Sequence, residues 1–598
     1  MLKSRLFIAC LLLCSASSSN KAFGQCADFA KRYTLDFQFS DSIGMGAWQY
    51  IGKDFLLYLK DTVPFNGKYA FGITRMYVKK YLETPLQPCI GQNIPLCTTD
   101  AKEGMLSITL KTRNLINAEL VVRGIDQLET VLYTYRTPIL NDNTWSTYTS
   151  KFPLKDAALL NVSINLLGGD DSLHQVVWFD RLELKVDGKE PEVCDDNPRF
   201  SYPPVSTLTT YPLSLSEPYT YRNIPDIKKH SILAIGESIH GSRTMNKIGF
   251  DFMKYCIERE EACLMLLELP LESMLAVNRY IQGDERFKLE DILKKEAHSL
   301  FSNKQMGDFF RWLKGYNQGR LQKVWFLGID VLNNFIRSLE LVNYFQTINQ
   351  TAQLPVLDSL CVGLLNKRPF DELAEMIRKE SAINNLFSEV EYQILLHCLE
   401  RPADALNTQT ASHSSRDYIM FQNTDFLINT ICKNQEKCVI YTHFNHANYT
   451  TQHLALGENA SFGSYMKKAY PDYFCFGVFA GEGRYLSKGG LPKLGFTEST
   501  LPNSIASSLE SSLLQHPNDY FYLPSPPSQL SLLRIIGNMR RVYPFEAINL
   551  AQRVGGVLFI KQSEAIELDA YRTEVEHLAL YWQKKQQEFR SKYPEVFK

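Results

Sequence analysis

Four short apolar runs, each ending on an ionisable residue, limit what this chain can become more than any other feature. ILAIGE ends at Glu237 with His240 three residues on, LMLLE ends at Glu268, VWFLGID ends at Asp330, and CVIYTHFNH carries His443 and His446. Strands buried on both faces read as near-continuous hydrophobic runs, and α/β proteins place their chemistry at the carboxyl ends of parallel strands. If the four runs lie parallel in one sheet, groups far apart in sequence meet on a single rim. That convergence points to an enzyme.

At 598 residues the chain exceeds one ordinary core, so two or three domains are expected. From Cys26 to about Gly188 the hydrophobic period is two, in short segments rich in β-branched and aromatic residues, which predicts an all-β sandwich or jelly roll over 26–188. Its segment Trp178–Leu184, with Asn66–Ala70, resembles carbohydrate-binding-like jelly rolls attached to secreted enzymes. Trp48, Tyr50, Trp145 and Tyr148 could stack on a sugar, giving a glycan contact, although core or edge packing is the commoner use of such rings. A proline-rich stretch over 189–226 reads as an extended linker. From 227 to 598 strands and helices alternate, predicting an α/β domain with a mostly parallel sheet and a large helical insertion at about 333–433.

A net charge of -1 with both signs interspersed, and no basic stripe or lysine-rich tail, gives no sign of a polyanion-binding protein, so no nucleic-acid partner is expected. Residues 1–24 carry Lys3 and Arg5, an apolar segment Leu6–Leu13, and Ala22 and Gly24 at the -3 and -1 positions of a cleavage site, the pattern of a signal peptide. No later run is long enough for a transmembrane segment, so a secreted or periplasmic protein is expected, with a lipid anchor as the alternative. Eleven cysteines lie beyond that leader. Cys89 with Cys97 and Cys432 with Cys438 are the expected local disulfides, Cys26 and Cys194 flank the sandwich and could close it by a further one, and Cys256, Cys263 and Cys361 read as buried thiols.

Glu237 and His240 suit an acid–base pair, since a carboxylate fixes the tautomer of a histidine and raises its basicity; the bland alternative is a helix cap beside a packed imidazole. Glu268, flanked by apolar residues, needs a partner or a raised pKa, as working sites and structural ion pairs both do. His443 and His446, with Asn445 between them, could bind zinc given a third ligand such as Glu237 or Glu268, or could hold a substrate carbonyl; the second is favoured and no cofactor is expected. Asp330 is expected to orient a histidine, cap a helix or contact substrate. No GxSxG elbow, Walker motif or dinucleotide glycine pattern occurs. A hydrolase built from this set would activate water directly.

The order GESIHGSR, LLELPLESMLAVNRYIQG, DFFRWLKGYNQ, KVWFLGID, YTHFNHANY and SFGSYMKKAYPDYFCFGVFAGEG resembles the erythromycin esterase family across roughly Ile232 to Gly483. The resemblance implies hydrolysis of an ester, with a macrolide lactone and antibiotic resistance as one outcome, and a metal-independent route. It implies His240 as general base, Glu237 as its acid partner, Glu268 as a second glutamate and His443 with His446 as the late pair. An arginine of the family finds only Arg243 or Lys247 as candidate substrate contacts here. The rivals are a metal-dependent hydrolase on the same cluster and a non-catalytic glycan-binding protein.

Overall fold

The structure, a computed structural model, describes residues 33, 35, 48–51, 56–57, 71–75, 89–568 and parts of 580–594. Within 89–568 it leaves aside 99, 115–117, 141–142, 167–174, 193–194, 196, 218, 296–299, 302, 332–333, 402–412, 433–435, 451–460, 489–495 and 538–543. The leader, Cys26, Asn66–Ala70 and Cys194 therefore lie outside the described residues.

The N-terminal unit consists of two five-stranded antiparallel sheets. One runs in the order Gln49–Ile51, Cys89–Pro95, Leu159–Leu166, Ala118–Ile125, Val131–Ile139. The other runs Leu56–Leu57, Phe71–Arg75, Gln175–Val186, Glu103–Arg113, Ser146–Pro153. Alternation along these strands sends Leu106, Ile108, Leu120, Val122, Val162, Phe179 and Leu182 into one shared core. Trp48 belongs to that core at 3% exposure, which removes it from any sugar-stacking surface. Trp145 and Tyr148 are half-buried.

The C-terminal body is built on a nine-stranded mixed sheet. Its strands are β1 (Tyr211–Pro212), β2 (Ile232–Glu237), β3 (Leu264–Pro270), β4 (Trp325–Asp330), β5 (Cys438–His443), β6 (Tyr473–Lys488), β7 (Phe496–Thr500), β8 (Tyr520–Leu523) and, after a separate ribbon of β9 (Leu530–Arg534) and β10 (Phe545–Asn549), β11 (Gly556–Ser563). The spatial order is β1-β8-β11-β6-β2-β5-β3-β4, with β7 on the far end of β6. The six strands from β11 to β4 are parallel, and β1, β7 and β8 add antiparallel pairs. Every residue of β2, β3 and β5 is buried, as their unbroken apolar runs require.

Helices α1 (Arg243–Arg259), α2 (Leu271–Ile281) and α3 (Lys304–Asn317) follow the first strands; α4 (Asn334–Ala352), α5 (Pro355–Leu365), α6 (Phe370–Lys379), α7 (Glu389–Glu400) and α8 (His413–Ile431) form the helical region between β4 and β5; α9 (Phe444–Ala447) and α10 (Phe462–Ala469) precede β6. Among the described residues no helix is long and apolar enough to cross a membrane.

The stretch expected to be an extended linker is instead packed down. Phe200, Tyr202, Tyr221, Ile224 and Ile227 are buried, and the Arg199 guanidinium donates to the carbonyls of Leu96, Thr98 and Asp156. Its apolar side chains have no regular period, so composition alone could not reveal that they are covered. The sandwich joins the body at the ribbon: Leu530 N donates to the Gln127 carbonyl at 2.9 Å, and Asn549 N and Arg553 reach the Glu129 carboxylate at 2.8 and 2.9 Å. Ile125 and Leu159 of the sandwich, Phe200 of the connection and Leu530, Leu532 and Phe545 of the ribbon make one apolar cluster. The Cys432–Cys438 bridge does not form, since both thiols are free. Cys97 is disulfide-bonded, and the side chains of Cys26, Cys89 and Cys194 lie outside the described residues.

Candidate active site

Register across the parallel strands assembles the site. Glu237, the last residue of β2, stands opposite His443, the last of β5. One strand further, β3 shifts register between Leu267 and Pro270, and that irregularity holds Glu268. Beyond β2 the chain turns sharply at Gly241, whose φ is +80° and where a Cβ would sit 2.0 Å from the Leu486 carbonyl oxygen. Only glycine fits, and the turn sets His240 over the end of its own strand. The turn is held from the other side by Gly537, whose carbonyl accepts from His240 N at 2.9 Å. Ser242 then caps α1 by accepting from Met245 N at 3.1 Å.

The His240 Nδ1 lies 2.6 Å from Glu237 Oε1, which leaves Nε2 as the nitrogen able to act on a substrate. Tyr441 donates its hydroxyl to Glu237 Oε2, and Asn246 donates to Tyr441 at 3.0 Å. The His240 and His443 rings are 4.6 Å apart, so the early and late histidines stand side by side. Burial raises the Glu237 carboxyl above its ordinary range against the opposing pull of His240 and Tyr441. Burial pushes His240 down, and the Glu237 contact outweighs it, so the imidazole stands above its ordinary value.

His443 caps α9: its Nδ1 accepts from Asn445 N at 3.2 Å, which in the neutral ring puts the proton on Nε2. Asn445 thus enters the site through its main chain. Glu268 accepts from Thr442 Oγ1 and His443 N, both at 2.7 Å, through Oε2, while Oε1 takes Arg416 Nη2 at 2.9 Å with His446 Nε2 at 3.4 Å. Burial would raise Glu268, but His446, Arg416, His240 and His443 hold it well below the usual carboxylate range.

Arg416 is the residue that sequence reasoning missed. It enters from α8 and makes a two-pronged ion pair with Asp330 at 2.7 and 2.6 Å. Its Nη1 lies 3.1 Å from His446 Nε2, and its neighbour Asp417 grips His446 Nδ1. Burial alone would lower the guanidinium pKa; Asp330 and Glu268 drive it well above. His446 is raised above its ordinary value by Asp417 and Glu268 against burial, and Asp417 is raised by burial. The only signal in the sequence was an Arg-Asp dipeptide on a helix with no strand beside it.

The two cationic candidates named from the sequence stand elsewhere. Arg243 pairs with Glu564 at 2.6 Å and Glu567 at 3.2 Å, and Lys247 with Asp251, one turn along its own helix. Both lie on the outer side of α1, satisfied by local carboxylates. Asp330 is the partner of Arg416, not the orienter of a histidine.

The late histidines do not suit a zinc ion. A guanidinium faces His446 Nε2, both oxygens of Glu268 are engaged, and a second cation beside Arg416 would be repelled. Among the described residues no three His, Cys, Asp or Glu side chains are grouped to hold a metal.

The family model described as erythromycin esterase matches residues 257–563, about half of the chain. The chain belongs to the erythromycin esterase family. It is an ester hydrolase by that membership. The matched span of this erythromycin esterase relative contains Glu268, Asp330, Arg416, Asp417, His443 and His446; Glu237 and His240 precede it and are brought in by β2. Among solved structures, a Bacillus cereus protein is 16% identical with a TM-score of 0.48, over 61% of this chain and 97% of that one. An erythromycin esterase mutant, EreC in its open conformation, is 16% identical with a TM-score of 0.43, over 60% and 99%. A CBM4 structure is 13% identical with a TM-score of 0.17, over 24% and 80%. No curated protein matches the chain.

Proposed function

We propose that this protein hydrolyses an ester by water attack without a covalent intermediate, a macrolide lactone being the first substrate to try, and that it works outside the cytoplasm after removal of its leader. His240 Nε2 takes a proton from water while Glu237, on Nδ1, stabilises the imidazolium that forms. The hydroxide adds to the ester carbonyl, and the oxyanion is stabilised by the Nε2–H of His443, with the guanidinium of Arg416 adding field from behind. Collapse expels the alcohol, which takes the proton back from His240. One water is consumed, and an acid and an alcohol leave. Glu268 holds His443, His446 and Arg416 in place. No metal is needed, and the chemistry of the donor set supports that.

The observation that carries this reading is the 2.6 Å contact of Glu237 with His240, beside His443 at 4.6 Å ring to ring. The experiment is an ester panel including macrolides, followed by mass spectrometry for gain of one water, with and without a chelator. His240→Ala should lower turnover by about 10²–10⁴-fold at unchanged circular dichroism. Full activity in that variant, or loss of wild-type activity on chelation, would overturn the assignment. Glycan contact through the sandwich falls to Trp145 and Tyr148; the side chain of Tyr50, the remaining aromatic named from the sequence, lies outside the described residues.

A further inference from the structure

Cys263 and Cys432 are 169 positions apart in the chain, yet their sulfur atoms lie 3.6 Å from each other. Cys263 comes just before β3, the strand that carries Glu268 near its end. Cys432 comes just after α8, the helix that carries Arg416 and Asp417. The two thiols therefore sit at the far ends of the two elements that make the Glu268–Arg416 contact at 2.9 Å. Cys263 is fixed in place, because its backbone N–H donates to Lys437 at 3.0 Å and its carbonyl accepts from Trp325 at 2.8 Å. Cys432 is half-buried and the more accessible of the pair, while Cys438 is wholly buried within the sheet. Sulfur atoms already in van der Waals contact need about 1.5 Å of further approach to reach bonding distance.

We propose that Cys263 and Cys432 are a covalent modification site, oxidised to a disulfide by exchange with a small-molecule or protein disulfide donor. Cys432, deprotonated in the encounter, attacks one sulfur of the donor, breaking the donor bond and releasing its first thiolate, which takes up that proton. Cys263 then attacks the Cys432 sulfur, expelling the second donor thiol; its proton passes to that thiol through the Glu436 carboxylate, 3.5 Å from the Cys263 sulfur. Two cysteine thiols are oxidised and one donor disulfide is reduced to two thiols. The bond closes a loop containing Glu268, Asp330, Arg416 and Asp417, and clamps α8 against β3. It goes beyond the hydrolytic reading and stands without it.

Trypsin separates the three relevant thiols: Cys263 follows Arg259, Cys432 precedes Lys433, and Cys438 follows Lys437. The full chain is incubated with glutathione disulfide, alkylated, digested without reductant and mapped by mass spectrometry. The expected product is a linked peptide pair carrying Cys263 and Cys432, absent from C432S. Alkylation of both cysteines after that exposure, or a link from either one to Cys438, overturns the proposal. In a parallel melt, reductant should lower the Tm of the oxidised wild type by roughly 5 °C more than that of C432S, which keeps the disulfide at Cys97; equal shifts in both would overturn the clamp.

Discussion

At the scale of single residues, the site is a chain of carboxylates each given one task by its neighbours. Glu237 holds His240, so a general base with a raised pKa is expected to govern the rate. Protonated His240 cannot accept a proton, so kcat/KM should rise with pH through a value above the ordinary 6.5 of histidine. Glu237→Gln removes the carboxylate, and the rise should move to lower pH, while kcat falls roughly 10²–10⁴-fold; pH–rate profiles of both proteins check this. Arg416 stands between two carboxylates. Arg416→Met would take the ion-pair partner from Asp330 and leave Glu268 with His446 as its nearest cation, and should destabilise the body by about 3–5 kcal/mol in urea. The depressed folded pKa of Glu268 means that its stabilisation is present above its unfolded value near 4.5 and lost as pH falls through the lower folded value. Without Arg416 that folded value climbs back, so the midpoint of acid unfolding should shift upward, read by fluorescence during an acid titration. Glu237, His240, Glu268 and the late histidines were legible in sequence because each ends or follows an apolar run. Arg416 was not, because a side chain delivered across space by a helix leaves no period behind it.

At the scale of elements, position is set by close backbone approach as much as by side chains. The helix α10 meets α9 through Gly463, where a Cβ would fall 2.0 Å from the Ala447 carbonyl oxygen. Gly463→Ala must push the two apart and tilt the turn that carries His443 and His446. A cost of about 1–3 kcal/mol is expected, with a larger fractional fall in kcat than in folded population; denaturation and kinetics on the same preparation separate these. The strands β2 to β5 and the helices α1 to α3 were readable within a residue or two, since burial on both faces and amphipathic spacing each leave a distinct pattern; β6 was not, because it continues nine residues past the apolar run that ends at Phe479. The ribbon of β9 and β10 was not read at all. Its strands are short, set among prolines, and take their burial from the sandwich, a neighbour far away in sequence.

At the scale of the whole molecule, sandwich and body are joined by a buried ion pair as well as by apolar contact. Glu129 and Arg553 have side chains only 4% and 7% exposed. Glu129→Ala leaves that guanidinium unmatched and should cost about 3 kcal/mol or more; a calorimetric scan is expected to show both units melting earlier. The two-domain outline was visible from the change of hydrophobic period near Gly188. The packed connection was not, because its burial comes from surfaces belonging to both units.

The ribbon has one end on the Gln127–Glu129 turn and at the other runs through Ile535 into Gly537, where Ile536 N meets the Ser238 carbonyl at 3.0 Å and Gly537 accepts from His240. The ribbon therefore links the sandwich to the peptide that accepts from His240, the proposed general base. An unrelated module in the place of the sandwich would remove the Gln127 and Glu129 contacts that anchor this ribbon, and with them the outer support of the turn at Gly537.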